Sequence, residues 1–223
     1  MGADPIRGAP DPYARTTPSR HADRTTYGRA EARAILAEAI VGHVGFVGPD
    51  GGPVVLPVGI APDGDRVLLH GSSGSRMLRT LAAGAPVCLT VTHLDGLVLA
   101  RSAFESSMNY RSLVVLGSAR ALAGDEKWAA LQSLTEHLTP GRWDALRPMT
   151  AKEVAATTVL ALDLAEFSVK ARTGGPDDAD DADWPVWAGH VPIRLVGGTP
   201  TAEAGAQECP QPALPRGLRG DLR

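Results

Sequence analysis

A chain of 223 residues with 43% hydrophobic content can bury a full core, and its length fits one domain or at most two small ones. A formal charge of −3 and the lack of any long basic stripe set aside proteins that track a nucleic-acid backbone. No apolar run is long enough to span a membrane, and arginines and prolines stand near the start where a signal peptide needs an apolar core, so a cytoplasmic protein is expected.

Residues 1–24 carry Pro5, Pro10, Pro12 and Pro18 among mixed charges, and residues 196–223 carry Pro200, Pro210, Pro212 and Pro215. Neither segment has the apolar content to offset the entropy of ordering, so both are expected to be disordered tails around a folded domain at 25–195. Within it, Arg29 to Val41 predicts a helix that stops at Gly42. Short β-type runs follow at His43–Val47, Val54–Ile60 and Arg66–His70, separated by Pro49-Asp50-Gly51-Gly52 and Pro62-Asp63-Gly64-Asp65. A helix from Met77 is closed by Gly84. Pro86–Thr92 is a β-branched run, the Asp95-Gly96 pair predicts a turn, and Leu97–Ala100 and Ser112–Leu122 are further strand candidates. Asp125 is placed as the cap of a helix with a Trp128, Leu131, Leu134, Leu138 stripe, and Thr150 with Glu153 has capping-box spacing. Two last strands, Thr157–Leu164 and Phe167–Arg172, complete a mainly β, α+β pattern: a partly open antiparallel β-barrel with a few helices outside.

No Gly-x-Gly-x-x-Gly, Walker-type or Gly-x-Ser-x-Gly motif occurs, and His21, His43, His70, His93, His137 and His190 lack zinc spacing. Cys88 and Cys209 make no disulfide framework and fit a reducing compartment. Five aspartates between Asp177 and Asp183 read as a solvated loop, not as a metal cage. Two polar concentrations remain. His70-Gly71-Ser72-Ser73-Gly74-Ser75-Arg76 joins a strand end to a helix start, where free N–H groups, hydroxyls and a guanidinium suit a phosphate; a plain serine-capped helix is the alternative. Ser106–Ser112 carries Asn109, Tyr110, Arg111 and Ser112 just before a strand, either as ligand donors or as an exposed turn. Arg101 is a third cation.

Taken together, His70-Gly71-Ser72 with Ser75-Arg76, Val87–Thr92, Leu94–Arg101, Asn109-Tyr110-Arg111-Ser112, Lys170-x-Arg172 and Trp187-Ala188-Gly189 resemble the pyridoxamine 5'-phosphate oxidase-like flavin-binding split barrels, nearest the nitroimidazole-resistance branch. The resemblance covers roughly residues 25–195. It implies a homodimer of six-stranded split barrels with FMN bound non-covalently at the interface. On that basis Arg76 and Arg111 neutralise the phosphate, while Ser72 and Ser75 donate to it. Thr90 and Thr92 face the flavin, with Val91 and Cys88 turned into the barrel. Asn109, Tyr110, Ser112, Arg101, Lys170 and Trp187 complete the cofactor set, and His70 is the one candidate catalytic residue. The activity implied is reduction of a small organic acceptor such as a nitro or quinone-like compound. A non-catalytic haem or flavin sensor with a histidine axial ligand is the alternative, and deazaflavin F420 a third. The arginine-rich C-terminal substrate site of true pyridoxamine phosphate oxidases has no equivalent among residues 184–223, which argues against vitamin B6 oxidation.

Overall fold

The computed structural model describes residues 15–18, 22–206 and 208–219; His21 lies outside them. Strand β1 (Thr25–Thr26) leads to helix α1 (Arg29–Glu38), then β2 (Val41–Val47), β3 (Pro53–Asp63), β4 (Arg66–Ser72), α2 (Arg76–Ala82), β5 (Pro86–Leu99) and β6 (Ser107–Ser118). There follow β7 (Arg120–Ala121), α3 (Gly124–Leu138), α4 (Ala151–Ala156), β8 (Thr157–Asp163), β9 (Glu166–Arg172) and β10 (Gly189–Pro192). The strands form one antiparallel sheet in the order β1-β9-β6-β5-β2-β3-β4-β8-β7, with β10 on the far half of β5. Its two edges, β1 and β7, do not meet. The result is the expected α+β split barrel with peripheral helices, left open.

Period-two alternation decides what lies inside. Val44, Phe46, Val67, Leu69, Leu89, Val91, Leu113, Val115, Leu160, Leu162, Phe167 and Val169 share one interior, closed by Ile35 and Leu36 of α1 and Leu78 and Leu81 of α2. On the opposite face of β4 and β8, Leu68, Val159 and Ala161 form a second cluster under Ala130, Leu131 and Leu134 of α3. The outer face of the sheet is therefore covered by α3 at one end only.

Several local expectations change. Helix α1 ends at Glu38 because the β-branched Ile40 and Val41 lead directly into β2. Asp95-Gly96 is not a turn: β5 runs through it with a register shift between Leu94 and Gly96. Gly96 is needed there for close approach, since a Cβ would stand 2.8 Å from the carbonyl oxygen of Val191 on β10. Asn109–Ser112 sit inside β6, not at its entry. At α3 the N-cap is Ala123 without a side-chain bond, and Asp125 lies in the first turn where its charge favours the helix dipole. The capping box forms as expected, Thr150 Oγ1 accepting from Glu153 N and Glu153 accepting from Thr150 N.

Beyond residue 195 the chain returns to α1. Gly197 N donates to Leu218 O at 3.0 Å, and the 3-10 turn Arg216–Leu218 sits so close to the end of α1 that a Cβ on Gly217 would lie 2.0 Å from Glu38 O. Among the described residues no helix is long and apolar enough to cross a membrane.

Candidate functional site

The uncovered part of the outer face brings together five of the predicted site residues, Thr90, Thr92, Ser112, Lys170 and His70. Ser112 of β6 pairs with Thr92 of β5 on one side and Lys170 of β9 on the other, so these three stand in one row about 4.8 Å per strand apart. The next row runs His43, Thr90, Val114, Ser168. Cys88 belongs to this face too: it is two residues from Thr90, and its Sγ lies 3.9 Å from Thr90 Oγ1. The expectation that it points into the barrel with Val91 fails on parity alone. The rest of the face is apolar and open, with Val41 46%, Val47 59% and Val55 66% exposed.

His70 enters the same face from β4. It lies two residues beyond Leu68 on the same side of the strand, so it emerges just past the edge of the α3 cluster, half-buried. Its neighbour is Gly59 of β3, where a Cβ would find nothing closer than the His70 ring carbon Cε1 at 3.9 Å and the Ile40 carbonyl oxygen at 4.0 Å. Gly59 in turn pairs with Val41. His70 Nδ1 is buried without a hydrogen-bond partner, and burial pushes the imidazole pKa below its usual value because the charged form loses solvation. Burial thus favours the neutral imidazole, and its Nδ1 is left without a protein partner.

Beyond His70, the serine loop is held by its own bonds. Ser73 N donates to Ala156 O, Gly74 N to Ser72 Oγ at 3.2 Å, Ser75 N to Ser72 O, and Leu78 N to Ser75 Oγ at 3.4 Å. Both named hydroxyls accept from the backbone and keep an O–H to donate. Arg76 opens α2 with its side chain exposed.

Other predicted residues are engaged elsewhere. Arg111 is gripped by two carboxylates: Nη1 and Nη2 donate to Glu38 at 3.2 and 3.0 Å, and Nε donates to Asp95 at 2.9 Å. These bonds turn it toward α1, away from the row of Ser112. Arg101 donates through its backbone N–H and Nη1 to Asp178 at 2.6 and 3.1 Å. Asp178 is buried; the acidic loop is therefore not uniformly solvated but pinned through this one carboxylate. Asn109 is buried as well, donating to Gly174 O at 2.9 Å and accepting from Arg172 Nη1 at 2.7 Å, so Asn109 and Arg172 fasten the start of that same loop. Tyr110 lies between Leu94 and Arg172 on the extended end of β6. Trp187 is exposed, its indole laid on Gly189.

Three histidines outside the predicted site set matter here. His43 is on the open face because Val44 and Phe46 are inside, which alternation alone could have told. His93 lies within β5, and its Nε2 is 3.0 Å from Ile35 O, while His137 Nε2 is 2.6 Å from Ala39 O. Two imidazoles from distant elements thus serve the last carbonyls of α1, a pairing no local pattern announces. Beside them, between the end of α1, β5 and the C-terminal segment, is a cavity of about 420 Å³.

This open antiparallel barrel, with one polar-and-apolar outer face left bare, is the architecture of small split-barrel cofactor proteins. Residues 28–171 match the family model described as pyridoxamine 5'-phosphate oxidase, and the chain belongs to that family. Among solved structures it is 43% identical to the FAD and haem binding protein from Mycobacterium smegmatis, with a TM-score of 0.83 over 90% of this chain and 99% of that one. It is 40% identical to the flavocytochrome Anf3 from Azotobacter vinelandii, with a TM-score of 0.84 over 91% and 95%. A candidate 5-nitroimidazole antibiotic resistance protein from Bacteroides thetaiotaomicron VPI-5482, 21% identical with a TM-score of 0.54 over 64% and 83%, shares the fold. None of the curated proteins compared with the chain matches it.

Proposed function

We propose that the chain is a cytoplasmic flavin- and haem-binding oxidoreductase acting as a homodimer. The observation that carries this is His70: a neutral, half-buried imidazole with an unpartnered nitrogen, set beside a bare glycine on the open face. Neutral imidazole is the form that ligates haem iron, and the absent side chain at Gly59 leaves room for a flat macrocycle against the strand. The flavin and haem named for the relatives at 43% and 40% identity support the same reading.

For the flavin, FAD is proposed in place of FMN. Ser72, Ser75 and Arg76 are the groups available to phosphate oxygens, without Arg111. Thr90, Thr92 and Ser112 supply hydroxyls along the face, and Lys170 adds a positive charge at the end of their row, suited to the electron density a flavin gains on reduction. The two cofactors would supply the electron chemistry, and the protein would position them and exclude competing reactions. The exposed Val41, Val47 and Val55 suit a second copy laid against the same face. The acceptor remains a small organic molecule of the nitro or quinone kind. Compartment is supported by the two unpaired cysteines, Cys88 and Cys209.

The test is the mass of what the purified protein releases on denaturation, alongside its visible spectrum. FAD and haem are the expected species; FMN alone, or no chromophore after loading with both, would overturn the proposal.

A further inference from the structure

We infer that the cavity of about 420 Å³ at the end of α1 is a binding site for an amphipathic monoanion, an apolar body of roughly two fused rings with a carboxylate head, and that the C-terminal segment is its roof. One wall comes from the barrel, with Leu94, Thr92 and His43; the roof comes from Ile193 to Leu195 and from Arg216 to Leu218. The roof is fixed at three points: Ile193 N on Asp95 O at 3.0 Å, Gly197 N on Leu218 O at 3.0 Å, and Gly217 against Glu38.

Two features point to a ligand and to its class. Apolar side chains line the space without being buried against one another, Leu94 at 40% and Leu195 at 68% exposed. The charge around the cavity favours an anion. Its carboxylate, Glu38, is already held through both oxygens by Arg111, whereas Arg216 reaches the rim as an exposed guanidinium. Thr92 and His43 add hydrogen-bonding groups at the floor. Those two residues also belong to the open face, so the site adjoins the proposed flavin and shares that border with it.

The probes are 2-naphthoate and its uncharged counterpart 2-naphthylmethanol, titrated by calorimetry into the full-length protein with its cofactors, whose absorbance is read in the same samples. One naphthoate per chain is expected, bound about tenfold more tightly than the alcohol, the scale of one charge-assisted contact. Arg216→Ala should erase that difference, and both Leu218→Trp and Leu94→Trp, which fill the space from opposite sides, should abolish binding of both probes while cofactor absorbance stays unchanged. No saturable binding, equal affinity for acid and alcohol, or binding indifferent to both tryptophan variants would overturn the inference. So would binding seen only after the cofactors are stripped, because the cavity would then be part of their site. Absent cofactor absorbance with intact naphthoate binding would count against the proposed function alone.

Discussion

Arg111 and Glu38 meet through two hydrogen bonds of 3.2 and 3.0 Å, joining the middle of β6 to the last residue of α1 across 73 positions of sequence. Asp95 completes the cluster from β5, and the carboxylate side chains of Glu38 and Asp95 are only 14% and 16% exposed. This arginine holds the barrel end together. Arg111→Ala would leave two half-buried anions facing each other, so the expected loss is about 3 kcal/mol in urea denaturation. Flavin content per folded molecule should be unchanged. A variant of normal stability that lost flavin would return Arg111 to the phosphate site.

The Arg101–Asp178 pair should act as a latch on the loop between β9 and β10. Asp178→Ala removes the acceptor of two hydrogen bonds and leaves Arg101, whose Nε is already buried without a partner, uncompensated. A loss of about 2–3 kcal/mol is expected, with new protease cleavage between residues 172 and 184. Unaltered cleavage would mean that Asn109 and Arg172 hold the loop unaided.

His70 predicts a pH dependence with a definite sign. Its folded pKa lies below the unfolded value of about 6.5, so between those two values the unfolded chain binds more protons. Stability is therefore unaffected by this residue above about pH 6.5 and falls as the pH drops from there toward the folded pKa. His70→Gln should flatten that part of the curve in denaturation midpoints measured from pH 8 to 5. An unchanged slope would assign it to other groups.

Gly59→Leu offers a separation of binding from folding. Nothing lies within 3.9 Å of the Cβ position, and leucine suits a strand better than glycine, so the melting temperature should hold or rise slightly. The added side chain would fill the space beside His70. Haem uptake should drop by more than tenfold, a cost above about 1.4 kcal/mol. Normal uptake would move the haem elsewhere.

What was readable in the sequence was whatever a short window encodes. Alternation in Val87–Val91 and Leu113–Val115 gave the core strands, and the Thr150–Glu153 spacing gave a cap that forms as expected. Face assignment was equally local: Cys88 had to follow Thr90, and His43 had to oppose Val44. What could not be read were pairings set by topology. Arg111, Arg101 and Asn109 carry the residue types of an anion site, but their partners, Glu38, Asp178 and Gly174, arrive from distant elements and convert them into fasteners. Gly96 reads locally as a turn and is instead a clearance for β10, a strand too short and too remote to be anticipated.

The central claim is tested most directly by the visible spectrum of the protein produced with haem available, compared with His70→Ala made the same way. The account predicts a Soret band together with flavin absorbance in the parent, and loss of the Soret band with the flavin retained in the variant. A Soret band of the same position and intensity in His70→Ala, or a parent protein that takes up neither chromophore, would contradict it.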